Sequence, residues 1–176
     1  MEKLQLAPYV KTPVQAYETI LDLGELKPGG IFYDLGAGNF DLVFRAVKPP
    51  YNAARSVGIE SKRDLTTIAK EIVRGSGLEN RIKVIHGNVL SSKIDISDAD
   101  LVYIYLSEEG NSRIRRKLEK QLKDEARVVS YNFFMPNWNP YSDCKVVRAP
   151  IIFEGITTPS VPHYFYLYRM DEVRRR

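Results

Sequence analysis

Apolar residues along the middle of the chain recur in two alternating patterns. Short apolar runs bounded by turn residues predict strands at Ile31–Leu35, residues 56–60, Ile82–His86, residues 100–106 and Arg127–Tyr131. Between these runs, apolar residues recur at helical spacing, which predicts helices over residues 39–48, 64–74 and 113–123. Strands that alternate with helices in this way are typical of an α/β protein with a parallel sheet.

Two segments depart from this alternation. Residues 91–98 are rich in serine and aspartate, so we expect any helix there to be short or absent. After residue 150, the apolar runs at residues 151–153 and 164–168 flank a turn region, which predicts an antiparallel hairpin at the sheet edge. The predicted fold class is therefore α/β, with a doubly wound, mostly parallel sheet that ends in an antiparallel C-terminal hairpin.

Residues 1–24 precede the first strand and are interpreted as a cover that packs on the sheet within the same domain. We expect a helix there, with Thr12 as the N-cap and Pro13 at the first helical position. Its apolar stripe consists of Val14, Tyr17, Ile20 and Leu21.

Composition and charge narrow the class of protein. The chain has 176 residues, 27% charged and 44% hydrophobic, which predicts one globular domain over residues 1–176. No apolar run is long enough to span a bilayer and no signal-peptide pattern begins the chain, so we expect a cytoplasmic protein without membrane contact. The net charge of +4 is interpreted as favouring solubility over nucleic-acid binding. With one cysteine and two histidines, we expect neither an internal disulfide nor a metal site.

The most informative segment is the glycine turn after the first strand, Asp34-Leu35-Gly36-Ala37-Gly38. Glycines let a ligand approach the backbone, and we expect the turn to offer N–H groups to that ligand. A dinucleotide fingerprint needs a third glycine where this chain has Asp41, so dinucleotide binding loses support. Glu60 ends the next strand, and carboxyl ends of parallel strands meet at one edge. Asp34 and Glu60 therefore favour a nucleoside-type cofactor over a purely structural turn.

These residues resemble motifs I and II of class I S-adenosylmethionine-dependent methyltransferases, which have a Rossmann-like fold. More narrowly, the chain resembles the small archaeal protein-lysine methyltransferases related to the mitochondrial ATP-synthase c-subunit lysine methyltransferase. Four further stretches carry the resemblance: Pro8-Tyr9-Val10-Lys11-Thr12-Pro13, Gly87-Asn88, Lys117-Leu118-Glu119-Lys120 with Arg127-Val128-Val129-Ser130, and Trp138-Asn139-Pro140.

The resemblance implies S-adenosylmethionine as the cofactor. The residues it implies for cofactor binding are Tyr9, Thr12, Asp34, Gly36, Ala37, Gly38, Asn39, Glu60, Asn88, Val89 and Tyr105. Tyr105, Phe133 and Trp138 are the candidates for the substrate side. Glu60 is expected to take the ribose hydroxyls, and Glu60→Ala to weaken cofactor binding with little loss of stability.

The chain departs from its relatives at Asn39-Phe40-Asp41, where they usually have Asp-Gly-Arg. Phe40 either crowds the cofactor or turns into the core, and we favour the core. No general acid or base pair stands out, so catalytic residues stay unassigned. No Asn-Pro-Pro-aromatic run follows the fourth strand, which disfavours nucleobase N-methylation.

We therefore expect a monomeric enzyme that methylates lysine side chains of proteins. Two other hypotheses stay open: a non-catalytic S-adenosylmethionine-binding protein of the same fold, and an RNA methyltransferase. Several reactive residue types are interpreted as structural: His86 at a strand end, His163 in an exposed turn and Cys144 as a packing residue. The basic residues Arg113, Arg115, Arg116, Lys117 and Lys120 are interpreted as a solvated helix face.

Overall fold

The computed structural model describes residues 10–138, 143–150, 152–153, 156–157 and 159–175. Within these residues the helices are a 3₁₀ turn (Val14–Ala16), α1 (Tyr17–Leu23), α2 (Asp41–Ala46), α3 (Arg63–Ser76), α4 (Glu108–Gln121) and α5 (Met170–Arg174). The strands are β1 (Ile31–Leu35), β2 (Arg55–Glu60), β3 (Ile82–His86), β4 (Leu101–Ile104), β5 (Arg127–Tyr131), β6 (Asp143–Ala149), β7 (Ile152–Phe153), β8 (Ile156–Thr157) and β9 (Val161–Arg169).

The main sheet has the strand order β3-β2-β1-β4-β5-β9-β6 within the described part of the chain. Strands β1 to β5 pair in parallel, whereas β9 pairs antiparallel with both β5 and β6. The predicted α/β class and the mostly parallel sheet are confirmed. Strands β1, β3 and β5 occupy the predicted runs, and residues 91–98 contain no helix, as expected.

The C-terminal hairpin was predicted with the wrong first strand. Residues 143–149 form β6 and pair with β9 over seven positions, while β7, within the described residues, pairs with β8 in a separate two-stranded ribbon. Strands β5 and β6 occupy the two edges of β9, so β9 has no edge left for β7. The β6 sequence is too polar to predict a strand from its apolar pattern, because an edge strand needs few apolar positions.

Most other boundaries shift by one or two residues, and two larger differences lie at the carboxyl edge of the sheet. Strand β4 ends at Ile104, so Tyr105 lies just beyond the sheet. Helix α4 begins at Glu108, five residues earlier than expected, because the Ser107 side chain accepts a hydrogen bond from the Gly110 N–H. Serine at this position and acidic residues in the first turn are favourable at a helix start.

The N-terminal segment differs at its first turn. Pro13 occupies the N-cap position of the 3₁₀ turn, so the expectation that Thr12 caps the helix is wrong. The Thr12 hydroxyl is instead 2.9 Å from the Tyr103 hydroxyl. Val14 is 64% exposed and leaves the expected stripe, whereas Tyr17, Ile20 and Leu21 are buried.

Two cores lie on opposite faces of the sheet because successive residues of a strand point to opposite sides. The first core packs α1, α2 and α3 on the face that includes Phe32 and Tyr103. The second core packs α4 on the face that includes Tyr33 and Val102. Of the helices described, none has the length and apolar character needed to cross a membrane.

Candidate active site

Asp34 and Glu60 lie together at the carboxyl edge of the sheet, as their positions at the ends of β1 and β2 predict. Asp34 pairs in register with Gly58 on one side and with Tyr103 on the other. Its side chain is buried, and burial raises the pKa of the carboxyl to about 8, with a further contribution from the negative charge of Glu60. A carboxyl held in this state strongly favours a positively charged neighbour.

The glycine turn permits close approach rather than offering free donors. Gly36 and Gly38 have φ angles of +101° and +54°, a region open chiefly to glycine. The Gly36 and Ala37 N–H groups both donate to the Ile59 carbonyl oxygen, at 2.9 and 3.0 Å. The Gly38 N–H donates to Glu60 Oε2 at 2.9 Å. The expectation that these N–H groups face a ligand is therefore wrong.

Glu60 connects the glycine turn to the start of α3. Besides the Gly38 N–H, its carboxylate accepts the Lys62 N–H at 2.8 Å and the Ser61 hydroxyl at 3.2 Å. A carboxylate has about four acceptor positions, so it retains room for a ligand hydroxyl. The same bonds mean that loss of Glu60 would also loosen the fold, contrary to the small effect expected from sequence.

The Phe40 side chain is turned into the core, which confirms the alternative that the sequence analysis favours. Its side chain is fully buried, although its φ angle is +66°. A Cβ atom placed on Gly58 would lie 2.4 Å from Phe40 Cε1, so the ring occupies the space that Gly58 leaves. The bulky residue at the turn and the glycine on the next strand are therefore complementary.

The acidic residue at position 41 has basic and polar partners. Asp41 Oδ2 lies 2.9 Å from Lys11 Nζ and accepts hydrogen bonds from Asn39 Nδ2 at 2.7 Å and the Tyr17 hydroxyl at 3.2 Å. With the contact between Thr12 and Tyr103, this network fastens the N-terminal segment to the start of α2 and to β4.

The loop after β3 carries two further candidates. Asn88 is exposed, and its Oδ1 accepts the Leu90 N–H at 2.9 Å, while Val89 is buried in the second core. Lys117 Nζ on α4 donates to the Ser91 and Ile94 carbonyl oxygens, each at 2.6 Å. Burial lowers the pKa of Lys117, so this residue supports the loop and does not belong to a solvated face.

A cluster of tyrosines lies beside Asp34. The Tyr105 and Tyr131 ring centroids are 4.1 Å apart, and Tyr131 stacks on Phe165 at 4.8 Å. Tyr103 is fully buried, and burial raises the pKa of its hydroxyl well above the usual value, with a smaller contribution from the nearby Asp34 charge. The cluster is uncharged and largely closed to water.

The other substrate-side candidates lie apart from one another. Phe133 is 40% exposed, just after β5. Trp138 is buried in the second core, where its Nε1 donates to Glu119 Oε1 at 2.9 Å and its ring meets the edge of Tyr168. The structure therefore does not bring Trp138 into the core that holds Tyr103 and Tyr131. Tyr9 and residues 139–140 lie outside the described residues.

Two residues at the end of β5 were missed or misplaced by sequence reasoning. His163 was expected in an exposed turn but is fully buried in β9, where it hydrogen-bonds with the Tyr131 hydroxyl. Asn132 follows β5 with a φ angle of +58°. An asparagine directly after a predicted strand is the signal that could have found it.

The remaining reactive side chains lie outside this cluster. Cys144, expected to pack inside, is exposed on the edge strand β6. His86 contacts the Ser61 carbonyl oxygen at 3.1 Å, which agrees with its interpretation as a structural residue.

The chain is similar to known methyltransferases. The ANTKMT methyltransferase domain family matches residues 34–142. A protein-lysine N-methyltransferase of Saccharolobus islandicus is 33% identical over 165 residues, which cover 94% of each chain. The human ATP-synthase C-subunit lysine N-methyltransferase is 25% identical over 76% of this chain and 54% of its own. An RNA methyltransferase of Salinibacter ruber, solved with S-adenosyl-L-homocysteine, is 29% identical, with a TM-score of 0.73 over 92% of this chain and 94% of its own.

Proposed function

We propose that this chain, which belongs to the ANTKMT methyltransferase domain family, transfers a methyl group from S-adenosylmethionine to lysine side chains of proteins. The observation that carries the proposal is the 33% identity to a protein-lysine N-methyltransferase across 94% of both chains. The family and the S-adenosyl-L-homocysteine in the Salinibacter ruber structure identify S-adenosylmethionine as the cofactor.

The residues at the carboxyl edge fit this cofactor. A buried carboxyl at Asp34 suits the cationic methionyl end, and the spare acceptor positions of Glu60 suit ribose hydroxyls. Among the described residues, a Cβ atom on Gly36 would come within 4 Å of Leu106 Cδ2 alone, at 3.7 Å, so these residues leave the backbone open on that side. The full proposed set is Tyr9, Thr12, Asp34, Gly36, Ala37, Gly38, Asn39, Glu60, Asn88, Val89 and Tyr105.

The chain's part in the reaction is to orient the amine and exclude water. When bound, the cofactor would supply an electrophilic methyl group for in-line attack by the amine, with the thioether as the leaving group. We assign the aromatic faces of Tyr105 and Phe133 to the lysine side chain, since cationic amines bind such faces. Trp138 remains a proposed substrate residue, although its burial against Tyr168 implies an indirect contribution. Holding the reactants at the right distance provides much of the rate enhancement in such a transfer.

A labelled-cofactor assay tests the proposal. The protein is incubated with radiolabelled S-adenosylmethionine and either a protein extract or total RNA, and the labelled product is hydrolysed to identify methyl-lysine. Methyl-lysine in protein is the expected result. Label in RNA would instead favour the second candidate function, which the 29% identity to an RNA methyltransferase supports. Cofactor binding by calorimetry without label in either pool would indicate the non-catalytic alternative.

We further propose that the chain acts as one domain over residues 1–176, as a cytoplasmic monomer. The N-terminal segment supports this proposal because Lys11 and Thr12 contact Asp41 and Tyr103 across the sheet edge. Light scattering at micromolar concentration distinguishes a monomer from a dimer, and a dimer mass would contradict the proposal.

A further inference from the structure

A buried tyrosine and a buried histidine form a pair at the end of β5. The Tyr131 hydroxyl hydrogen-bonds with His163 Nδ1, and His163 Nε2 lies 2.9 Å from the Ala149 carbonyl oxygen. A carbonyl oxygen only accepts, so Nε2 carries the imidazole proton. His163 Nδ1 is then the acceptor, and the Tyr131 hydroxyl must be the donor. The pair is thus fixed in one direction, from Tyr131 to His163.

Partly exposed groups connect this pair to the outside. Burial raises the pKa of the Tyr105 and Tyr131 hydroxyls, and the nearby Asn132 side chain offsets part of that rise. Asn132 Oδ1 accepts the Tyr164 N–H at 3.0 Å, which leaves the amide nitrogen as the free end of this side chain that can donate. Tyr105 and Asn132 are half-buried, whereas Tyr131 and His163 are closed to water. The Tyr105 ring centroid lies 4.1 Å from that of Tyr131, so Tyr105 is the partly exposed residue next to the buried pair.

We propose that Tyr131 and His163 take the proton from the substrate ammonium before methyl transfer. This inference rests on the proposed function. The amine N–H bond breaks and its proton binds the Tyr131 oxygen, while the Tyr131 hydroxyl proton moves to His163 Nδ1. The amine keeps the electron pair that attacks the methyl group, and the imidazolium that forms retains its Nε2–H bond to Ala149. Tyr131 is the catalytic residue, and His163 is the positioning residue that accepts the displaced proton.

The chemistry calls for such a path. A free lysine amine has a pKa near 10.4, so at pH 7 only roughly one in 2500 is neutral. General-base assistance contributes on the order of 100- to 10,000-fold to rates. Of the described residues, the titratable groups around the pair are Tyr103 in β4 and Tyr105 just after it, with Asp34 beyond Tyr103. His163 is the imidazole of this cluster, and imidazole is the side chain that most often acts as a general base in enzymes.

The test compares pH profiles of kcat/KM for methylation of a lysine-containing protein substrate. In His163→Asn, the asparagine oxygen still accepts from Tyr131 but takes no proton near neutral pH. We expect a loss of roughly 10- to 100-fold at pH 7 that shrinks to about threefold at pH 9.5, where free amine is abundant. Tyr131→Phe should show the same pattern. Tyr51→Phe, which removes a buried hydroxyl bonded to Asp22 Oδ1 at 2.8 Å in the first core, is the matched control with the wild-type profile.

A second readout needs no activity. The chain has two histidines, so nitrogen NMR with His86→Gln for assignment resolves the His163 ring. We expect a proton on Nε2 and none on Nδ1 at pH 7.5, and a shifted Nδ1 signal in Tyr131→Phe. A proton on Nδ1, or equal losses at pH 7 and pH 9.5 in His163→Asn, would overturn the relay alone. If the wild-type protein binds cofactor but methylates no protein, the proposed function fails and the relay falls with it.

Discussion

The carboxyl edge of the sheet has a charged half and an aromatic half. In the charged half, Asp34 and Glu60 end adjacent strands with both carboxyl groups buried, and the charge of Glu60 contributes to the high pKa of Asp34. In the aromatic half, Tyr103 and Tyr131 satisfy their hydroxyls with partners from the same chain. The charged half is thus electrostatically incomplete without a cation, whereas the aromatic half is complete. The comparison indicates that a cationic ligand is bound mainly through the charged half.

The largest expected effect is that of Asp34→Asn on the pH dependence of the free energy of unfolding. The folded-state pKa of Asp34 is about 8, above the unfolded value, so its protonated form stabilises the fold. This contribution is fully present below about pH 4 and is lost as the pH rises through about 8. Without cofactor, the free energy of unfolding should therefore fall over this range by up to roughly 5 kcal/mol, and Asp34→Asn should abolish that fall.

Urea unfolding at several pH values, followed by circular dichroism, measures this difference. Because other groups also titrate, the quantity of interest is the wild-type slope minus the Asp34→Asn slope. Parallel slopes would show that the charged half is already neutralised within the chain. A cofactor that brings positive charge to Asp34 should also release protons on binding near pH 7, which calorimetry in buffers of different ionisation enthalpy detects.

The second prediction concerns Phe40, whose ring packs against Gly58 in β2, two residues before Glu60. Phe40→Gly should lower the free energy of unfolding by about 3 kcal/mol, because it empties a buried aromatic site and the better backbone angles offset only part of the loss. Gly58→Ala should cost roughly 1–3 kcal/mol in the wild type, because its Cβ would overlap the Phe40 ring.

The double variant sharpens this test. In the Phe40→Gly background, Gly58→Ala should cost less than in the wild type, because the ring is absent and the remaining close neighbour is Ala37 Cβ, at 3.0 Å. Additive losses in the double variant would mean that Phe40 and Gly58 are not complementary. An increase in cofactor affinity for Phe40→Gly would instead mean that Phe40 reaches the pocket.

The charged half was predictable from sequence because its residues are local. Asp34, Gly36 and Gly38 lie in one turn, and Glu60 follows at the end of the next parallel strand, so spacing alone brings them together. The bonds that Glu60 makes to the glycine turn were not predictable, since they depend on side-chain direction at a site 22 residues away.

The aromatic half depends on contacts between distant residues. His163 reaches Tyr131 only because β9 pairs antiparallel with β5, and its second partner Ala149 belongs to the edge strand β6. The sequence predicted a different partner for β9, so His163 was placed in an exposed turn. Register in such antiparallel additions depends on pairing across the sheet, which no local pattern of apolar residues specifies.

The third prediction tests the contributions of Glu60 to stability and to cofactor binding. Glu60→Ala should lower the free energy of unfolding by about 2 kcal/mol, because two backbone N–H groups lose a carboxylate acceptor. Cofactor affinity should also fall at least roughly tenfold if the carboxylate binds ribose hydroxyls. Glu60→Gln keeps the side-chain volume and one acceptor oxygen, so its stability and its cofactor affinity should lie between those of the wild type and Glu60→Ala. A lower melting temperature for Glu60→Ala together with wild-type cofactor affinity would show that Glu60 has a purely structural role.

The smallest effects should come from the N-terminal segment, which contacts Asp41 at the start of α2 and Tyr103 in the aromatic half. Lys11 and Asp41 form a half-exposed ion pair at 2.9 Å, while Thr12 meets the buried Tyr103 hydroxyl at 2.9 Å. Lys11→Met should cost only about 0.5 kcal/mol, and that loss should vanish at about 1 M salt because screening weakens exposed pairs. Thr12→Val should cost about 1 kcal/mol at any salt concentration, since it leaves a buried hydroxyl without its partner. If the two losses depended equally on salt, the Lys11–Asp41 contact would not differ in its electrostatics from the Thr12–Tyr103 contact, and this part of the comparison would be wrong.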